Sequence, residues 1–278
     1  MASFLGLDVG TSSVKALLID AAQRVAGVAS APLEVFRPQP LWSEQDPEDW
    51  WQATLVAIAA VRAAAPEAWV ALAGIGLSGQ MHGATLLDGA GRVLRPAILW
   101  NDGRSGAECA ELHRLVPDLA ARAGNIAMPG FTAPKLLWVR RHEPEVFAAT
   151  RHVLLPKDYV RYRLTGAMVS DMSDAAGTLW LNVAARAWDG PLLAACGLDR
   201  RHMPALVEGS DVSAMLAPAL AAEWGVGAVP VAGGGGDNAA SAVGIGAVRA
   251  GDGFLSLGTS GVVFAVTNRF VAAPERTL

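Results

Sequence analysis

The chain has 278 residues, of which 52% are hydrophobic and 17% charged, with a formal net charge of −4 and a pI near 5.7. This length suits one large domain or two modest ones. The acidic balance gives no basic face for nucleic acid. Cys109 and Cys196 are too few and too distant for a disulfide framework, so we expect buried thiols in a reducing compartment. With no leader pattern and no long apolar run, we expect a cytoplasmic protein that does not use a membrane.

The first predicted elements are three antiparallel strands across residues 3–36. Their first turn is rich in polar groups: Gly10 suits positive φ, and the amides of residues 10–13 can cradle an anion. Asp8 beside that cradle would repel a phosphate unless a divalent cation lay between them. We therefore predict a Mg²⁺–phosphate site at this turn. Whether Lys15 joins the site depends on the register of the strands.

The next elements follow from capping and turn signals. A helix is predicted from Asp46 as N-cap and Pro47 as first helical residue to about Ala65. "ALAGIGLSG" predicts a buried strand, and the next segment predicts two strands around the turn "DGAG". Further helices are predicted at about 104–122, 134–141, 156–164 and 214–223. "AVPVAGGGGDNAASAVGIGAV" predicts a strand, a glycine loop and a helix, and "GFLSLGTSGVVFAVT" predicts a second hairpin.

The glycine loop places Asp237 at a helix N-terminus, beside backbone that a ligand can approach closely. An equal alternative is that Asp237 is only an N-cap. Gly234, Gly236 and Ala239 also fit the dinucleotide fingerprint. That interpretation is rejected because Asp237 would repel a pyrophosphate and the next acid, Asp252, precedes a strand.

Two more polar segments follow predicted strands. In "SGQMHG", His82 stands just beyond a strand end, where its side chain can project into a cleft, although a lone histidine is more often structural. In "LWNDGRS", Trp100 offers a stacking surface, and Asn101, Asp102 and Arg104 offer partners for hydroxyl groups. The alternative for this segment is a plain turn, which "NDG" forms readily.

A family resemblance covers nearly the whole chain. It rests on these motifs in this order: "GLDVGTSSVKALLID", "WSEQDPEDWW", "IGLSGQMHGATLLD", "AILWNDGRS", "NIAMPGFTAPKLLWVRRHEPEVF", "LLPKDYVRYRLTG", "SDMSDAAGTLWLN", "GGGGDNAASAVGIG" and "SLGTSG". Together they resemble the FGGY family of carbohydrate kinases, and within it the kinases that act on the ketopentose D-xylulose.

The resemblance implies an α/β protein with the ribonuclease-H-like (actin-like ATPase) fold, in which a mixed sheet is flanked by helices. Family members run to roughly twice this length in two comparable domains. We therefore expect residues 1–247 to form the N-terminal sugar-binding domain and residues 248–278 to begin a truncated nucleotide-binding domain. A chain cut in this way is expected to be inactive alone.

The resemblance also implies a reaction, the ATP- and Mg²⁺-dependent phosphorylation of D-xylulose to D-xylulose 5-phosphate, with Asp237 as catalytic base. His82 is expected to donate to a sugar hydroxyl, and Asp8 to hold Mg²⁺ through water. The implied sugar contacts are Gln80, Met81, His82, Trp100, Asp102 and Asn238. The implied phosphate contacts are Thr11, Ser12, Ser13, Gly258, Thr259 and Ser260.

Three alternatives stay open from the sequence. The first is a kinase for ribulose, gluconate or glycerol, against which "QMHG" favours xylulose. The second is a sugar-binding lobe without catalysis. The third is a nucleotide-dependent scaffold of the actin or chaperone type, which has no reason to keep a sugar pocket. A homodimer is one open option for the assembly.

Overall fold

The computed structural model describes residues 1–257 and 261–273. The strands are β1 (Ser3–Val9), β2 (Ser13–Asp20), β3 (Val25–Pro32), β4 (Glu44–Gln45), β5 (Leu72–Gly79), β6 (Thr85–Leu87), β7 (Ala97–Ile98), β8 (His152–Leu154), β9 (Val169–Asp171), β10 (Leu181–Asn182), β11 (Ala187–Trp188), β12 (Ala205–Val207), β13 (Val212–Met215), β14 (Pro230–Ala232), β15 (Gly235–Gly236), β16 (Gly253–Leu257) and β17 (Gly261–Ala265). The helices are α1 (Pro47–Ala64), α2 (Pro66–Trp69), α3 (Gly106–Leu115), α4 (Leu119–Ala123), α5 (Thr132–His142), α6 (Pro144–Ala149), α7 (Pro156–Thr165), α8 (Met172–Ala176), α9 (Gly190–Ala195), α10 (Pro218–Trp224) and α11 (Asp237–Gly244).

The main sheet is mixed and runs in the order β13–β14–β5–β1–β2–β3, with β15 also paired to β5. The predicted antiparallel meander β1–β2–β3 is confirmed. Strands β5 and β1 are parallel, and β14 and β15 are parallel to β5. The carboxyl ends of β1, β5 and β15 therefore meet at one edge of the sheet, which is where ligands bind in open α/β sheets.

One face of the sheet packs on α1. Alternation along β1 and β2 buries Leu5, Leu7, Val9, Val14, Ala16 and Leu18. Helix α1 begins as predicted, because the Asp46 side chain accepts a hydrogen bond from the amide of Glu48 at 2.9 Å and Pro47 is the first helical residue. Trp50 and Trp51 of this helix are both buried in that core.

A second buried cluster lies beside the sheet, among residues 84–203. The helix predicted at 104–122 is in fact two, α3 and α4, because Pro117 cannot continue a helix. The helix predicted at 214–223 begins only at Pro218, since residues 212–215 form β13. Two short strands lie around "DGAG" as predicted: β6 precedes the turn, β7 follows it, and bridges join Leu87 to Val93 and Ala84 to Ile98.

The predicted C-terminal hairpin is present as the antiparallel pair β16–β17, in which Phe254 and Phe264 stack at 5.1 Å. Cys109 and Cys196 are unpaired and buried, as predicted. Among the residues described, no helix combines the length and apolar character needed to span a bilayer.

Candidate active site

The end of β1 carries Asp8, whose surroundings are set by strand register. Asp8 lies opposite Lys15 on β2 and beside Ser78 on β5. The Ser78 hydroxyl donates to Asp8 Oδ1 at 2.8 Å. Because Asp8 and Lys15 point away from the buried face, both line the same cleft, which settles the register left open by the sequence. A carboxylate and an ammonium therefore stand at the predicted Mg²⁺–phosphate turn.

A chain of hydrogen bonds holds the turn between β1 and β2, and the donor and acceptor of each bond can be assigned. Trp50 Nε1 can only donate, so Gln45 presents Oε1 to it at 2.9 Å. The same oxygen accepts from Gln80 Nε2 at 2.9 Å, which turns Gln80 Oε1 toward the Thr11 hydroxyl at 3.1 Å. Trp100 Nε1 donates to Thr11 Oγ1 at 3.0 Å. The chain thus fixes the turn before any ligand arrives.

This network bears on three predicted contacts. Gln80 is buried, and its amide also donates to Gly10 O, so its geometry favours holding the turn over contacting a sugar. Thr11 uses its hydroxyl within the protein, so a phosphate there would meet backbone amides, with exposed Ser12 and half-buried Ser13 beside them. Trp100 is 39% exposed above the turn. The ligand roles of all these residues stay predictions.

Met81 and His82 follow β5 and meet two glycines. A Cβ built on Gly236 would lie 2.8 Å from Met81 Sδ, and one on Gly177 would lie 2.5 Å from His82 Nδ1. The segment "QMHG" is therefore packed against "GGGGDN", about 155 positions further along the chain. Glycine is needed at both places because the two side chains leave no room for a methyl group.

The His82 ring has a defined hydrogen-bonding state. Its Nδ1 lies 2.7 Å from Gly177 O, and because a carbonyl can only accept, Nδ1 carries the proton. Burial, aided by the nearby charge of Lys135, lowers the His82 pKa to about 4, so the ring is neutral at pH 7. Nε2 is then an acceptor. Donation from His82 to a hydroxyl does not fit this tautomer, and a sugar contact of His82 stays a prediction.

Lys135 supports His82 from within the core. His82 has φ of 69°, a left-handed conformation that is uncommon outside glycine. The fully buried Lys135 Nζ donates to His82 O at 2.9 Å and to Gly130 O at 2.8 Å. Burial lowers the Lys135 pKa to about 7. These bonds hold the backbone of His82 in its strained shape.

Asp237 is the first residue of α11, and Gly236 is the N-cap. Asp237 Oδ1 accepts from the amide of Asn238 at 2.7 Å and from Asn238 Nδ2 at 2.9 Å. Loss of surrounding water and then the charge of Asp8 raise the Asp237 pKa, against those hydrogen bonds. Because Gly236 is the N-cap, the N-cap alternative for Asp237 is wrong, while its role as base stays a prediction.

Asp102 lies away from the open cleft. It is 2% exposed, accepts from the amide of Ser43 at 2.6 Å and pairs with Arg104 Nη2 at 2.7 Å. Arg104 also pairs with Glu44 at 2.7 Å and stacks 3.6 Å from the Trp42 ring centre. This geometry supports a structural ion pair. The predicted sugar contact from Asp102 stays a prediction that the geometry does not favour.

The cleft over the sheet face has a volume of about 910 Å³. Its lining includes Asp8, Lys15, Ser78, Ser173 and Gly235, so it adjoins the start of α11. Sequence reasoning missed Ser78 and Ser173. Alternation along β5 could have found Ser78 beside Asp8, whereas nothing in the local pattern marks Ser173. The predicted phosphate residues Gly258, Thr259 and Ser260 lie outside the described residues.

The mixed sheet flanked by helices, with polar loops at one edge, is the architecture expected of a ribonuclease-H-like lobe. Residues 3–244 match the N-terminal domain of the FGGY family of carbohydrate kinases. The chain belongs to this family, and the predicted ribonuclease-H-like (actin-like ATPase) fold is confirmed.

Three similar proteins show how far the match extends. The xylulose kinase of Escherichia coli (strain K12) is 56% identical over 272 residues, covering 98% of this chain and 56% of that enzyme. The solved structure of a "xyloylose kinase" from Brucella ovis is 58% identical with a TM-score of 0.97, covering 98% of this chain and 56% of that one. The xylulose kinase structure from Rhodospirillum rubrum is 33% identical with a TM-score of 0.94, with the same coverage. The chain thus spans about half the length of these relatives.

Proposed function

We propose that the chain is the sugar-binding lobe of a kinase that transfers the γ-phosphoryl group of ATP to D-xylulose, giving D-xylulose 5-phosphate. Residues 1–247 would form this lobe, and residues 248–278 would begin the nucleotide-binding domain. The observation that carries the proposal is the packing of Met81 on Gly236 of the loop that presents Asp237, with His82 beside it on Gly177. The names of the relatives indicate the sugar.

In this proposal the sugar lies between the "QMHG" segment and the start of α11. Asn238 and Met81 contact the sugar, and His82 Nε2 accepts from one of its hydroxyls. Asp237 takes the proton of the attacking hydroxyl, for which its raised pKa is suited, because a stronger base accepts that proton more readily. Positioning supplies most of the remaining rate.

ATP and Mg²⁺ are the proposed cofactors. The donor set fits them, because Asp8 supplies carboxylate oxygen, the amides at residues 10–13 suit a phosphate, and Lys15 stands opposite Asp8. Bound Mg²⁺ would neutralise charge on the transferring phosphate. Asp8 would hold the metal through water.

The test has two arms. Titration calorimetry of the 278-residue chain against D-xylulose, D-ribulose, gluconate and glycerol should show the tightest binding to D-xylulose. A coupled assay on the complete natural protein that contains this chain should show ATP-dependent phosphorylation of the same sugar. Sugar binding without any turnover would favour the alternative of a non-catalytic lobe. Tighter binding of another polyol would show that D-xylulose is not the preferred substrate.

A further inference from the structure

A fully buried group of charges lies below the glycine loop. Lys157 Nζ contacts Asp158 Oδ1 at 2.6 Å, Asp171 Oδ1 at 2.7 Å and Asp174 Oδ2 at 3.0 Å. Arg161 pairs with the same oxygen of Asp158 at 2.6 Å. None of these five side chains is more than 2% exposed. We call these five residues the lysine cluster.

Such a cluster is costly to bury, because each ion loses its hydration and the attraction between ions only partly offsets that loss. Burial would lower the Lys157 pKa, but the carboxylates of Asp158 and Asp174 outweigh it and raise that pKa. Burial raises the Asp174 pKa to about 7. With a proton on Asp174, the two cations Lys157 and Arg161 would balance the two carboxylates of Asp158 and Asp171. The close ion contacts make the cluster a support for its surroundings, but buried polar atoms without hydrogen-bond partners, such as Asp158 Oδ2 and Asp174 Oδ1, make it a poor source of stability.

The cluster reaches the glycine loop by two routes. Arg161 Nη2 donates to Gly233 O at the start of the loop. At the other end, Asp171 Oδ2 accepts from the Ser173 hydroxyl at 2.5 Å, and Ser173 Oγ accepts from the Gly236 amide at 3.1 Å. Because Asp171 faces the Lys157 ammonium, the single Ser173 proton points to Asp171. That orientation leaves an Oγ lone pair for Gly236.

Backbone pairing with β5 holds Gly235 and Gly236, but residues 233–236 are all glycine, so the loop has few other contacts to fix it. Glycine gives the chain its greatest conformational freedom and has no side chain to pack. Gly234 has φ of 73°, and a Cβ there would lie 2.1 Å from Leu77 O, so larger residues cannot stiffen the loop. The bond from Gly236 to Ser173 lies one residue before Asp237.

We propose that Ser173, oriented by Asp171 and the lysine cluster, is a positioning residue that fixes the Gly236 amide and through it the carboxylate of Asp237. The inference rests on the proposed function, because it assigns Asp237 the role of base. It adds a role for the buried charges: through Ser173 they add to the backbone pairing that holds the loop. Ser173 acts through the backbone and does not touch the reacting atoms.

The first experiment compares Ser173→Ala with Ser173→Thr in the complete natural protein. Ser173→Ala should lower kcat by ~10- to 100-fold, because a small misplacement of a reacting group has effects of this size. The KM for the sugar should stay within about threefold, and Ser173→Thr should recover most of the kcat, since it keeps the hydroxyl. Ser3→Ala is the matched control: Ser3 is a buried serine whose hydroxyl donates to Ala68 O at 2.7 Å, at the opposite end of β1.

The second experiment measures hydrogen exchange of the Gly236 amide in the 278-residue chain. Exchange should be at least ~10-fold faster in Ser173→Ala than in the wild type, and unchanged in Ser3→Ala. This readout needs no activity, so it is separable from the proposed function. An active wild type with unchanged kcat in Ser173→Ala, or equal Gly236 exchange in all three proteins, would overturn the inference. An inactive wild type would overturn the proposed function and leave the exchange result to decide whether Ser173 holds the loop.

Discussion

Replacing Gly177 with alanine is expected to displace His82 and weaken sugar binding. Gly177 has φ of −72°, which alanine adopts without strain, so the effect is confined to the added methyl group. That Cβ would stand 2.5 Å from His82 Cε1 and Nδ1, whereas ordinary contact begins at 3.4 Å. The ring must therefore move by about 0.9 Å, because a packed interior does not absorb such an overlap.

The movement disturbs the 2.7 Å contact between His82 Nδ1 and Gly177 O and shifts the Nε2 acceptor. Losing one well-placed hydrogen bond to a ligand corresponds to about 1–2 kcal/mol, or roughly 5- to 30-fold in affinity. Calorimetry with D-xylulose on the 278-residue chain measures this loss. Gly190→Ala is the control, since a Cβ at Gly190 meets nothing within 4 Å. Unchanged affinity in Gly177→Ala, with a wild type that binds, would refute the argument that His82 contacts the sugar.

Three further predictions concern ionisable groups of the site. Asp237→Asn in the complete natural protein should lower kcat by ~10²-fold or more with little change in sugar affinity, because an amide cannot take the hydroxyl proton; near-normal turnover in a coupled assay would remove the assignment. Asp8→Ala should impair use of MgATP far more than sugar binding; an equal loss in calorimetry without nucleotide would place Asp8 in the sugar pocket. Burial lowers the His82 pKa from 6.5 to about 4, so between these values the unfolded chain binds the extra proton and the free energy of unfolding should fall as pH falls. Urea titrations at several pH values should show that the free energy of unfolding falls less with pH in His82→Gln than in the wild type. An equal fall in both proteins would exclude His82 as the group responsible.

The elements with local signals were predictable from sequence. The meander between residues 3 and 36, the capped start of α1 and the strand–loop–helix around Asp237 each depend on neighbours within a few positions. α4 was merged with α3 because apolar spacing continues across Pro117, and β13 was assigned to a helix because a short strand at a sheet edge has little pattern of its own.

The sequence indicated which residues belong to the candidate site better than it indicated what each of them does. Asp102 carries the same sequence signal as a ligand in a turn, but it is buried by Ser43 and by Arg104, which stacks on Trp42. The tautomer of His82 depends on Gly177, 95 positions away. Such contacts between distant segments are fixed by tertiary packing, so no local pattern of residues reveals them.

The glutamine pair below the first turn makes two positions interdependent. Gln45 uses both amide hydrogens on Thr11 O and Glu34 O, and its oxygen serves Trp50 and Gln80. A carboxylate at either position would lose its donors and place negative charge beside the partner, so single replacements should each be harmful. In a double-mutant cycle the two changes should be strongly non-additive. A chain that tolerates a change in this turn would then have to alter Gln45 and Gln80 together.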